Sequence, residues 1–70
     1  MPNSASPPPS LLSIKNVVAR TSLSRSTVYR LAANGKFPAS VEISPGRKAW
    51  IEAEIADWID QRISATRHDR

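Results

Sequence analysis

The chain has 70 residues, 40% of them hydrophobic, with ten lysines and arginines against six acids and a net charge of +4. That is enough for one small domain, in which folding buries only roughly 60% of the unfolded chain's surface, so a catalytic cavity is hard to accommodate. With no cysteine and a single histidine, His68, a disulfide framework and a zinc-stapled fold are excluded on ligand count.

The expectation is a cytoplasmic protein without cofactor, metal, membrane association or an evident small-molecule substrate. No basic segment leads into a long apolar run, and Leu11-Leu12 is far short of a signal-peptide core or a membrane span. In chain order, residues 1–10 come first. They are polar and proline-rich, with Pro7-Pro8-Pro9 at their centre, and are expected to form a disordered or polyproline-like tail. The folded domain is expected over residues 11–64.

Residues 15–21 form the first expected helix, with Val17 and Val18 inward. A turn over Thr21-Ser22-Leu23 follows, and Leu23 plugs its angle. Ser24 then supplies a side-chain acceptor for an unpaired amide of a second helix, and Asn34-Gly35 tolerates the left-handed backbone that ends one. Between these caps Val28, Leu31 and Ala32 follow the i, i+3, i+4 spacing of a buried stripe. Ser26, Arg30 and Ala33 project opposite, Thr27 and Tyr29 flank them, and Arg25 lies near the boundary. This outward face is cationic and carries no acid. Two short helices joined by such a turn present the second to a DNA major groove.

Lys36-Phe37-Pro38 blocks helical continuation. Two short segments follow, residues 41–43 and 48–51, with Ser44-Pro45-Gly46-Arg47 as the turn between them. A hairpin beside a helix-turn-helix is a wing, and its tip would bring Arg47 and Lys48 to phosphates or a minor groove. The last helix is expected from about residue 52 to residue 64, with Ile51, Ile55, Trp58, Ile59 and Ile63 along one face and Glu54, Asp57, Asp60 and Gln61 polar. Glu52 and Glu54 suit the positive end of its dipole. Residues 65–70 are expected to be a flexible C-terminal tail. The fold class is thus mainly α with a small β-hairpin: three helices plus a two-stranded wing, with Phe37, Trp50 and Trp58 supplying most of the buried area.

Charge is unevenly distributed. Every charged residue from 14 to 36 is basic, namely Lys15, Arg20, Arg25, Arg30 and Lys36, whereas residues 52–70 carry five acids against Arg62, Arg67 and Arg70. The positive field sits on the half proposed to read DNA, where it favours a polyanion and speeds encounter.

The ordered series Thr21-Ser22-Leu23-Ser24-Arg25-Ser26-Thr27-Val28-Tyr29-Arg30-Leu31, then Gly35-Lys36-Phe37-Pro38, then Trp50-Ile51-Glu52-Ala53-Glu54-Ile55 with Trp58-Ile59, resembles the AlpA family of prophage-type regulators. These are similar to phage excisionases and to the DNA-binding domain of MerR proteins. The resemblance spans most of residues 11–62 and implies a winged helix-turn-helix that binds promoter or attachment-site DNA, either activating an integrase-type gene or steering excision. It makes residues 24–30 the recognition segment, residues 35–38 the lead into the wing and residues 50–59 the closing helix. The chain departs from the family pattern twice: Ser22 stands where the turn usually has glycine, and Arg47 stands one residue closer to the tryptophan than the usual wing arginine.

The expected function is a sequence-specific, double-stranded DNA-binding transcriptional regulator. Ser24, Arg25, Ser26, Thr27, Tyr29, Arg30, Lys36, Arg47 and Lys48 are its candidate contacts. Arg25 and Arg30 each suit either a guanine edge or a phosphate, and Tyr29 suits either half-buried packing or contact. The alternatives are an excisionase-like factor that bends attachment-site DNA and recruits a recombinase, and a protein-interaction adaptor using the triproline or the acidic helix. Beyond DNA, the expected partners are a second copy, through cooperative binding or a dimer, or a recombinase. An enzyme is not expected, because Ser24 and Tyr29 have no base or general acid nearby in the sequence.

Overall fold

The computed structural model describes residues 10–68. Its elements run β1 (Leu11–Leu12), α1 (Ile14–Thr21), α2 (Arg25–Ala33), β2 (Val41–Ser44), β3 (Arg47–Ile51) and α3 (Glu52–His68). Apart from Ser10, the segment expected as an N-terminal tail lies outside the described residues.

Both short helices are defined by local hydrogen bonding. Ser13 caps α1, its Oγ accepting from the Asn16 N–H at 3.2 Å. At the other end Ser22 adopts a left-handed backbone, φ 64°, and its N–H donates to the Val18 carbonyl. The position where glycine is usual is therefore left-handed with a serine in it. Thr21 tightens the turn, its Oγ1 donating to the Val17 carbonyl at 2.8 Å and accepting from the Leu23 N–H at 3.3 Å. Ser24 caps α2 as expected, accepting from the Thr27 N–H. The far end of α2 closes in a Schellman arrangement: Gly35, at φ 74°, donates to the Ala32 carbonyl and Lys36 donates to that of Leu31.

The wing is present, and the sheet has one strand more than expected. Strand order is β1-β3-β2, all antiparallel, with Leu11 opposite Ile51 and Leu12 opposite Trp50. The Glu52 N–H, donating to the Ser10 carbonyl at 2.8 Å, fastens the start of β1 to the start of α3. Between β2 and β3 the register shifts after Glu42, leaving Ile43 without a cross-strand partner. This bulge accommodates the two-residue Pro45-Gly46 turn, in which Gly46 has φ 78°. The Gly46 N–H donates to Glu42 Oε2 at 3.3 Å.

The core is one cluster: Leu12, Val17, Val28, Phe37, Trp50 and Ile55, with Ile14, Leu23, Leu31, Ala32, Trp58 and Ile59 packed against it. Every element except β2 contributes a buried residue, and all four residues of β2 are exposed. The wing's outer strand therefore projects, held through its pairing to β3. Helix α3 continues to His68, past the expected stop at residue 64. Nothing between Ser64 and His68 is glycine or proline, so no residue there breaks the helix.

Candidate nucleic-acid interface

Helix α2 presents two faces of different chemistry. Val28 is fully buried and Leu31 and Ala32 pack on the core, whereas Arg25, Ser26, Tyr29, Arg30 and Ala33 are exposed. No acidic residue lies in its sequence, so the exposed face is cationic throughout. Ser24 is occupied locally: besides accepting from the Thr27 amide, its Oγ donates to Thr27 Oγ1 at 2.9 Å. These two hydroxyls preorganise the first turn of α2, where unpaired amides and the dipole favour an anion.

The structure brings Tyr29, Arg47 and Lys48 together. They line one cleft with Ser13, Ile14 and Gly46, and Trp50 forms its floor. Tyr29 settles between its two sequence readings: it is 51% exposed, yet its ring centroid lies 6.2 Å from that of the buried Trp50. One edge packs and the rest is accessible. The cleft thus joins α2, the wing and the N-terminus of α1 into a continuous surface. Ser13 and Ile14 were not among the sequence candidates; the signal available was Ser13 placed three residues before Asn16, the spacing of a helix cap.

Lys36 is not part of that cleft. It lines a separate groove with Phe37, Glu54, Asp57, Trp58 and Arg62, a mixed-charge surface. Arg20 is exposed but ion-paired, its Nη2 lying 2.8 Å from Glu52 Oε2. Arg62 sits over the Trp58 ring, 5.4 Å from the centroid. The other exposed basic residues on α1, α2 and the wing tip are Lys15, Arg25, Arg30, Arg47 and Lys48. Among the described residues no helix is long and apolar enough to cross a membrane, and no group of three acidic or histidine side chains is gathered for a metal.

The family model described as prophage CP4-57 regulatory protein (AlpA) matches residues 10–63. The uncharacterized protein ORF88 of Enterobacteria phage P4 is 36% identical over 53 residues, which make up 76% of this chain and 60% of that protein. The chain therefore spans less than two thirds of the relative's length. No solved structure matches.

Proposed function

The chain belongs to the AlpA family of prophage regulatory proteins, and from that membership we propose that it regulates transcription by binding specific double-stranded DNA in the cytoplasm. The observation that carries the reading is the exposed, acid-free face of α2, bearing Arg25 and Arg30 on a helix whose opposite side is sealed into the core. In this reading α2 enters the major groove. Arg25 and Arg30 donate to guanine edges or flanking phosphates, and Ser26 and Thr27 meet the backbone at the helix start. Ser24 holds that first turn in shape. Arg47 and Lys48 at the wing tip, with the Tyr29 hydroxyl, grip the phosphates alongside or the adjacent minor groove. Lys36, on the far side, adds to the long-range field.

Duplex fragments from around the protein's own gene, titrated by fluorescence anisotropy across a salt series, test this. Five phosphates neutralised by Lys15, Arg25, Arg30, Arg47 and Lys48 would give a slope of log affinity against log salt of roughly −4 to −5. Footprinting on the same DNA would locate the operator. Absence of salt-sensitive binding to duplex DNA would end the proposal.

A further inference from the structure

The wing is anchored through β3, which pairs with β1 and buries Ala49 and Trp50, and the connection between α2 and β2 is its second tie to the rest of the fold. That connection runs from Asn34 to Ser40 and contains no regular structure. Its start is tied by the Lys36 N–H donating to the Leu31 carbonyl. Its middle is held by two indoles arriving from different elements. Trp58 of α3 donates its Nε1–H to the Lys36 carbonyl at 2.9 Å, and Trp50 of β3 donates its Nε1–H to the Pro38 carbonyl at 3.0 Å. Between those carbonyls the Phe37 side chain is buried and meets the Trp58 ring edge-on, centroids 4.7 Å apart.

The two tryptophans differ in what else they do. Trp50 is 1% exposed, belongs to the core and underlies the cleft with Tyr29, Arg47 and Lys48. Trp58 is only partly buried and lines the separate groove that holds Lys36. A hydrophobic role alone does not require its ring nitrogen to face the chain. A tryptophan used only as filler is as well served with its N–H toward water, whereas this one is satisfied by a backbone acceptor on the segment that links α2 to the outer strand of the wing.

We infer that Trp58 is a positioning residue for DNA recognition: its indole N–H, acting through the Lys36 carbonyl, fixes the connection so that Arg47 and Lys48 reach the backbone while α2 occupies the groove. The inference rests on the DNA-binding reading above. Loss of the N–H loosens the wing relative to α2, so the wing cations contribute less, while Arg25 and Arg30 bind as before.

The test is a cycle on the full chain. Trp58→Phe is compared with the Arg47→Ala, Lys48→Ala double variant and with their combination, using affinity for specific duplex and its salt slope, with thermal melting to confirm folding. Position 58 is also filled by chemical synthesis with 3-benzothienylalanine, which keeps the bicyclic shape and replaces the ring N–H by sulfur, in case the smaller phenyl ring fails to fold. The expected result is a loss of about 3- to 10-fold in affinity and a slope shallower by roughly 1 to 2, since each phosphate contact contributes about 0.9. Little or no further loss is expected once Arg47 and Lys48 are gone. A slope unchanged by either substitution, or a loss that adds in full to that of the wing variant, overturns the inference. An unaltered protein that shows no salt-dependent duplex binding removes the DNA-binding reading and this inference with it, a result distinct from the other two.

Discussion

Arg20 Nη2 lies 2.8 Å from Glu52 Oε2, which joins the end of α1 to the start of α3 and gives this exposed guanidinium a carboxylate partner. Arg30 stands exposed on α2, a helix with no acid in its sequence. The two are equivalent in net charge and differ in what they face. Arg30→Gln is expected to weaken specific binding by about 1–3 kcal/mol if it reads a base, with a smaller effect on random DNA. Arg20→Gln is expected to cost far less in binding, and about 0–1 kcal/mol in stability, as for surface pairs generally. Anisotropy on specific and random duplexes, with denaturant melts, separates the two. Equal binding losses would place Arg20 at the DNA.

Ser24 permits its structural and electrostatic roles to be told apart. Ser24→Ala removes the cap and is expected to destabilise the domain by about 1 kcal/mol. Ser24→Asp restores a good cap, so stability should stay close to that of the parent. The new carboxylate would sit at the start of α2, the end proposed to face phosphate, and duplex affinity should fall by about tenfold or more at low salt. If Ser24→Asp bound DNA normally, the N-terminus of α2 would not face phosphate.

At Ser22 the left-handed backbone carries a side chain, which costs roughly 1–2 kcal/mol relative to glycine in that region. Part of this is offset by the extra freedom of glycine in the unfolded chain. Ser22→Gly is therefore expected to stabilise by about 0.5–1 kcal/mol, a rise of a few degrees in Tm for a domain this size. DNA affinity should be unchanged. Thermal melting by circular dichroism checks the first expectation, and a fall in Tm would mean the serine side chain contributes something its hydrogen bonds do not show.

Separation of Lys36 from the wing cleft makes a further expectation. Arg47→Ala should make the salt slope shallower by about 0.9, whereas Lys36→Ala, beside Glu54 and Asp57, should change affinity slightly and the slope hardly at all. A slope change at Lys36 equal to that at Arg47 would mean that DNA wraps onto the α3 side.

Features with local causes were legible in the sequence. Ser24, Asn34-Gly35, the Val28-Leu31-Ala32 stripe and Pro45-Gly46 each act within a few residues, and α2 and the wing lie where these signals put them. Features fixed by distant partners were not. Leu11–Leu12 is too short for any periodicity and is a strand only because Trp50 and Ile51 lie opposite. Arg20 looked like one more basic residue of the reading half, since its partner Glu52 belongs to another helix. Lys36 follows the reading helix in sequence, but after Gly35 it lines a groove with residues of α3, a neighbourhood set by the distant helix. The long end of α3 was missed for a different reason: polar residues after Ser64 resemble a tail, although nothing in them stops a helix.

Among the described residues no polar or charged side chain is buried. On α2 the proposed reading positions Arg25, Ser26 and Arg30 are exposed, and the positions that seal the interior, Val28, Leu31 and Ala32, carry only hydrocarbon. Operator preference can therefore drift, or be rewritten by exchange of a few outward side chains, with the scaffold left intact. For a regulator of this size, evolvability comes from keeping the vocabulary of recognition out of the interior.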